Sequence, residues 1–263
     1  MQMAMLEVSN CWAMEFTLSL SERAQASVIR PRPQLVQAGK DEPMTSFSGI
    51  AAVLLAALAV VLQPAPVAAA DPVEEQVALP GPQMEGGMPL MEALAQRRST
   101  RAFSERELDE QMLADLLWAA FGINRPDTAD HTAPSWRGSK ETDIYVARGD
   151  GVWLHDPQEN VLSKVLEDDI RAETGRQPFT EDAPVVLIYV ADLVRMAEAP
   201  RDDQHLYAHV DAALVSQNVY LFAASEGLGT VVLGNVDKEA LSELMALDED
   251  QLLTFTQPVG FPE

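Results

Sequence analysis

Residues 185–191 read VVLIYVA behind Pro184, seven apolar or aromatic positions in a row, most of them β-branched. A run this short and uninterrupted has no polar face. It predicts a strand buried on both sides, in the middle of a sheet that other layers cover above and below. The neighbouring segments supply those layers. Residues 143–147 and 152–156 flank Gly149-Asp-Gly151 and read as a β-hairpin. Thr230 to Leu233 and Leu252 to Val259 read as further buried strands. A long helix is expected over 203–226, with Val210, Leu214, Val215, Val219 and Phe222 as its apolar positions and Gly227 as its stop. Pro89 opens a short helix with Leu90, Met91 and Leu94 on one face.

The local chemistry adds three more helices. Ser104-Glu-Arg-Glu107 has the form of a capping box, followed by Leu108, Met112, Leu113, Leu116, Leu117, Ala120 and Phe121 on one face, up to Gly122. Residues 161–174 read as a polar helix ending near Gly175, and Asp237 caps a helix through Met245. Residues 123–142 are expected to be a long loop. Helices and strands are interspersed without regular βαβ alternation, so the class is α+β.

Ahead of this domain lies a different kind of segment. Residues 49–62, GIAAVLLAALAVVL, are apolar and uncharged but too short for a span of about 20 residues. QPAPVAAADP follows, and Ala68-Ala-Ala70 matches an A-x-A cleavage site before Asp71. Translation from Met44 makes 44–70 a signal peptide of ordinary length and 1–43 an extension upstream of the true start. The Pro/Gly-rich residues 71–87 then read as a linker and 88–263 as the domain. The expected location is periplasmic or secreted, with no membrane contact once the leader is cleaved.

Charge and side-chain inventory exclude several functions. The chain carries 18 basic and 41 acidic residues, a net −23, and no basic face for nucleic acid. One cysteine, Cys11, excludes an internal disulfide or a thiol-metal cluster. The four histidines form neither HxxxH nor HExxH; His205 and His209 are four apart on one helix but lack an evident third ligand. Asp168-Asp169, Asp202-Asp203 and Asp248-Glu-Asp250 read as solvated surface, and Trp118 with Phe121 as core.

Against that acidity, Arg97-Arg-Ser-Thr-Arg101 concentrates three guanidiniums and two hydroxyls in five residues. This set suits a phosphate monoester, which Arg binds by bidentate charge-assisted hydrogen bonds and Ser by a neutral one. A basic helix end facing solvent is the plainer alternative. RRSTRAF, the loop Thr132-Ala-Pro-Ser135, the strand and GVWLHDP after it, DAALVSQNVYLFAASEGLG (211–229), TVVLG (230–234) and the ending Pro258-Val-Gly-Phe-Pro262 occur in an order that resembles the nitroreductase family of flavoproteins.

The resemblance covers residues 88–263. It implies a nitroreductase-like α+β fold with a mostly antiparallel central sheet flanked by helices, a homodimer, and FMN as cofactor with NAD(P)H as a donor. It implies that Arg97, Arg98, Ser99 and Arg101 hold the phosphate and ribityl chain. Pro134 and Ser135, from the partner subunit, would lie against the flavin ring. Leu233, Gly234 and Asn235 would bring their backbone to its N5/O4 edge, where glycine permits close approach. Gly138 and Lys140 stand where the family commonly has Asn and Gln, and a lysine there could stabilise reduced flavin at N1/C2=O. Trp136, in the same loop, is a candidate lining of the substrate pocket. No basic residue follows the final strand to reach the phosphate.

The expected reaction is reduction of nitroaromatic, quinone or similar flat acceptors, with no protein residue as general acid or base. Flavin-dependent dehydrogenation of a peptide or ring precursor, and a non-catalytic flavin-binding module, remain open beside it. The leader makes a direct prediction: intact-mass analysis of the exported protein should give a chain starting at Asp71, and a retained leader would contradict it.

Overall fold

The computed structural model describes residues 75–263; the expected leader and the extension before it lie outside them. In chain order the strands are β1 (Gln76–Ala78), β2 (Ile123–Arg125), β3 (Asp130–His131), β4 (Thr142–Arg148), β5 (Gly151–Asp156), β6 (Val161–Leu166), β7 (Val185–Asp192), β8 (Gly229–Thr230) and β9 (Gln251–Gly260). The helices are α1 (Leu90–Gln96), α2 (Glu110–Phe121), α3 (Arg201–Glu226) and α4 (Lys238–Leu244). Seven strands form one sheet in the order β1-β6-β5-β4-β7-β9-β8, and every pairing in it is antiparallel. No helix among the described residues is long and apolar enough to cross a membrane.

β7 occupies the centre as its composition requires. Val185, Leu187 and Tyr189 face one layer with Leu113, Leu117, Val215 and Val219 from α2 and α3. Val186, Ile188 and Val190 face the other with Phe103, Ile170, Leu241 and Leu253. The period of two thus sends alternate residues into two separate cores. The β4–β5 hairpin turns at Gly151, whose φ of +126° and close approach to the Leu166 carbonyl exclude a side chain. α3 ends at Gly227, which takes the left-handed conformation with φ 72°.

Several expectations are corrected. Residues 161–174 are not a helix: Leu162 is fully buried and pairs with His155, so 161–166 form strand β6, and only 171–174 wind into a 3-10 turn. Their charged and polar residues suit a helix locally, but the free edge of β5 takes them into the sheet. The capping box at 104–107 does not cap. Phe103 bridges to Pro262 and Ser104 bonds back to the Phe261 carbonyl, which keeps the chain extended until Asp109 caps α2 through Met112 N–H. The 71–87 stretch contributes edge strand β1 on β6, and 123–142 contains the β2–β3 hairpin. Val210 and Leu214 on α3, and Leu90, Met91 and Leu94 on α1, are exposed rather than core.

One buried hydrogen-bond relay ties three elements together. Tyr189 on β7 donates to Gln257 Oε1 on β9 at 2.6 Å, and Gln257 Nε2 donates to the Ser216 carbonyl on α3 at 3.4 Å. Burial holds the tyrosine phenol protonated. Tyr189→Phe strands the Gln257 carbonyl oxygen away from water and should cost about 1–3 kcal/mol. A urea midpoint unchanged from wild type would show that the relay does not stabilise the fold.

Candidate active site

Residues 97–101 leave α1 and run alongside the start of β8. Thr100 N–H donates to the Thr230 carbonyl at 2.9 Å, and Gly229 has no Cβ because Thr100 lies against it. Tyr220 on α3 pins the two segments together: its hydroxyl accepts from Val232 N–H at 3.0 Å and shares a hydrogen bond with Ser99 Oγ at 3.1 Å. The Arg97 guanidinium lies 5.2 Å from the centre of the same ring. Arg97 and Arg98 line a cavity of about 470 Å³ with Tyr220, Gly227, Leu228 and Pro262. Arg98, Ser99 and Arg101 are exposed.

The chain continues past Val232 to the second group of expected residues. Leu233 is buried and exchanges both backbone hydrogen bonds with Thr256 on β9. Gly234 and Asn235 are exposed, and a Cβ on Gly234 would meet only the Phe255 ring at 3.8 Å. The space over Gly234 is therefore open to a flat partner. The structure brings the 97–101 and 232–235 segments together.

The loop 134–140 docks elsewhere. Pro134 and Gly138 are exposed, and Ser135 Oγ accepts from Lys140 N–H at 2.9 Å. Arg137, Gly138 and Lys140 all have positive φ, of 49°, 74° and 55°. Glycine costs nothing there; the other two are held by the loop's hydrogen bonds. Lys140 Nζ donates to the Thr128 carbonyl at 3.0 Å and pairs with Asp130 at 3.5 Å. It is turned back onto the β2–β3 hairpin rather than presented at the loop's surface. Trp136 is half-buried, with Arg137 over its ring and Tyr207 beside it.

What holds this loop is a pair of acids that sequence reasoning missed. Asp211 on α3 is buried and accepts from Trp136 N–H at 2.6 Å; Glu141 is fully buried and accepts from Ser139 Oγ at 2.6 Å. Burial, together with Asp211 as hydrogen-bond partner and like charge, pushes the Glu141 carboxyl up to about 7. An acid at a core-facing position, in phase with Ala208, Ala212 and Val215, is the sequence signal that marks Asp211.

From Asp211 to Tyr220 is nine residues, two and a half turns at about 3.6 residues per turn, so the two side chains leave opposite sides of α3. Within one protomer the loop and the arginine cluster do not converge. The histidine pair makes no metal site: His209 Nδ1 bonds the His205 carbonyl at 2.7 Å and Nε2 meets Lys238 Nζ at 3.3 Å. The described residues contain no group of three or more His, Cys, Asp or Glu placed to hold a metal ion.

Electrostatics separates the cations into two sets. Of the 14 lysines and arginines among the described residues, eight form ion pairs with carboxylates. The six that form none there are Arg97, Arg98, Arg101, Arg106, Arg137 and Lys238. In a chain with more than twice as many acids as bases, the three guanidiniums at 97–101 thus keep their donors free of carboxylates. The cluster, the exposed Gly234 and Asn235 and the fold agree with what comparison shows. The Nitroreductase family profile matches residues 94–261. The chain belongs to the nitroreductase family.

A nitroreductase of Methanocaldococcus jannaschii, so described, is 32% identical over 181 residues, 65% of this chain and 90% of that one. A nitroreductase crystal structure from Ralstonia eutropha superposes with a TM-score of 0.70 at 38% identity, over 74% of this chain and 92% of the other. The NADPH:FMN oxidoreductase of Vibrio harveyi, solved with NAD+, shares the fold at 22% identity and TM-score 0.51, over 66% and 69% of the two chains.

The buried acid pair generates a pH prediction. Glu141 binds its proton more tightly in the folded than in the unfolded chain. Its contribution is therefore full below the unfolded value near 4.5 and is lost as pH rises toward about 7. Buried His155, whose imidazole is pushed down to about 4, gains stability over the same window, so with rising pH the wild type should gain less, or lose more, than Glu141→Gln, which stays neutral. Parallel thermal melts of the two proteins from pH 4.5 to 8 check this; identical slopes would reject it.

Proposed function

We propose that this nitroreductase-family protein is an exported, homodimeric FMN-dependent oxidoreductase. It reduces nitroaromatic, quinone or similar flat acceptors with electrons from NAD(P)H or another donor. The single observation that carries the reading is the set of unpaired cations on the 97–101 segment, which Tyr220 ties through Ser99 and Val232 to the stretch that ends in exposed Gly234 and Asn235. The donor set fits FMN: guanidiniums and a hydroxyl for a phosphate at one end, and a side-chain-free backbone for a flat ring at the other.

In this reading Arg97, Arg98 and Arg101 hold the phosphate, and Ser99, oriented by Tyr220, adds a neutral hydrogen bond. Leu233, Gly234 and Asn235 line the ring's edge. Leu233 is fixed by its two backbone hydrogen bonds with Thr256, so the backbone meets the ring without rearranging. Bound FMN supplies two-electron transfer between a donor and an acceptor that use one open face in turn. The protein's share is binding, orientation and exclusion of water.

The dimer is supported by what α3 leaves uncovered. Leu206, Tyr207, Val210 and Leu214 form an exposed apolar stripe on α3, and Leu90, Met91 and Leu94 on α1 are exposed too. A second copy covering these residues can bring its own Pro134, Ser135, Gly138 and Lys140 loop to the ring that the first copy's 97–101 cluster holds. Lys140 reaches N1 only by leaving Thr128 and Asp130. Export rests on the segment 44–70 and its A-x-A end.

The absorption spectrum of the purified protein tests the cofactor, and two variants test its grip. Arg97→Ala and Arg101→Ala should each weaken FMN binding by roughly 1.5–3 kcal/mol, as loss of a charge-assisted hydrogen bond does. Full flavin occupancy of both variants at micromolar protein would refute the phosphate assignment. Sedimentation of a flavin-loaded monomer would refute the dimer.

A further inference from the structure

Lys238 is the only one of the three lysines among the described residues that meets no carboxylate. Of its two acidic neighbours in sequence, Asp237 is spent on Arg176 and on capping α4, and exposed Glu239 forms no ion pair with it. Lys238 instead points its ammonium at His209 Nε2, 3.3 Å away, and over the Phe255 ring at 5.6 Å. His209 Nδ1 lies 2.7 Å from the His205 carbonyl, to which only an N–H can donate, and this fixes the ring with Nε2 toward the ammonium. The imidazole orients the ammonium without compensating its charge, and half-burial lowers the lysine from its usual range.

The position of this cation gives it meaning. Phe255 contacts all three groups: the position of a Cβ on Gly234 lies 3.8 Å from it, His209 meets it edge-on at 5.5 Å, and Lys238 lies over it. Lys238 is therefore one aromatic ring's breadth from the backbone proposed to meet the flavin edge. His209 precedes Tyr220 by eleven residues on α3, about three turns, so both lie on the same side of the helix. The phosphate cluster marks one end of that side and Lys238 the other.

We propose that Lys238, oriented by His209, is a recognition site for an anionic group, carboxylate or phosphate, on the molecule that docks at the ring end of the flavin site. This rests on the flavin placement above and adds a specificity determinant to it. A neutral flat acceptor gains nothing from Lys238; an aromatic carboxylate or a dinucleotide phosphate gains a charge-assisted hydrogen bond in a half-buried setting. It also offsets, at short range, the repulsion that the chain's acidity imposes on any anionic partner.

The test uses ligands that undergo no turnover. Binding of benzoate, its neutral isostere benzamide, and NADP+ is measured by calorimetry on the wild type, Lys238→Gln and Lys238→Arg, with FMN content read from each sample's absorption spectrum. Lys238→Gln should weaken benzoate, NADP+ or both by about tenfold, leave benzamide unchanged, and be restored by Lys238→Arg. Loss for benzoate alone assigns the site to the acceptor's carboxylate, and loss for NADP+ alone to the donor's phosphate. No binding of either anion by the wild type at millimolar concentration, no loss in Lys238→Gln, or an equal loss for benzamide overturns the proposal. Lys238-dependent anion binding in a protein that never carries flavin would overturn the flavin reading instead, and leave the anion site standing.

Discussion

Burial of β7 on both faces is the constraint from which the rest of the molecule follows. A strand with Val186, Ile188 and Val190 on one side and Val185, Leu187 and Tyr189 on the other needs two separate covers. α2 and α3 supply the first; Phe103, the 170–183 segment and α4 supply the second. Its neighbour β9 carries the consequences outward. β9 is bound to β7 along its length and to α3 through Gln257. At its end it holds β8, Leu233 and, past Gly260, the Phe103–Pro262 bridge. The arginine segment and the 232–235 backbone are both anchored on this one strand, so the candidate site inherits the rigidity of the sheet centre without being part of it.

The distribution of charge then separates structure from function. An acidic chain can neutralise every cation locally, and eight of the described ones are neutralised in this way. Surface pairs of this kind stabilise little, usually under about 1 kcal/mol each. Their interest lies in the contrast with those left out. Arg106 and Arg137 rest on aromatic faces, Phe261 and Trp136, and Lys238 meets the His209 ring, while Arg98 and Arg101 face solvent. Cations left without carboxylates amid so many acids are the ones whose charge is free for the proposed ligands.

Much of this was legible from local chemistry. β7, the β4–β5 hairpin, α3 with Gly227 and the Asp237 cap all follow from periodicity and turn residues that need no distant partner. β6 was not legible, because Ser163, Lys164 and Glu167 read as polar helix and only the ladder to β5 makes the segment a strand. β1 is three residues that owe their conformation to β6. The Ser104 box has the right local chemistry, overridden by a contact with residue 261, over 150 positions away. The site divides likewise. The cluster 97–101 stands out by composition alone. Tyr220, Asp211, Lys238 and His209 acquire their roles only where chain segments far apart in sequence meet.

α3 allocates these roles by angle. Its inner side packs Ala208, Ala212, Val215 and Val219 into the core; one margin presents Tyr220 and His209, and the opposite margin Asp211. Leu206, Val210 and Leu214 face outward between the margins. The chain therefore has an arginine-side margin and a loop-bearing margin, separated by an apolar stripe. In the proposed dimer a two-fold contact places residue i of one copy on residue j of the other and the reverse. A partner seated on the stripe then lays its loop margin beside the first copy's arginine margin and receives the same in return. The two sites are completed together, so the stripe that water would otherwise expose is the element that decides whether the loop and the cluster ever face one ligand.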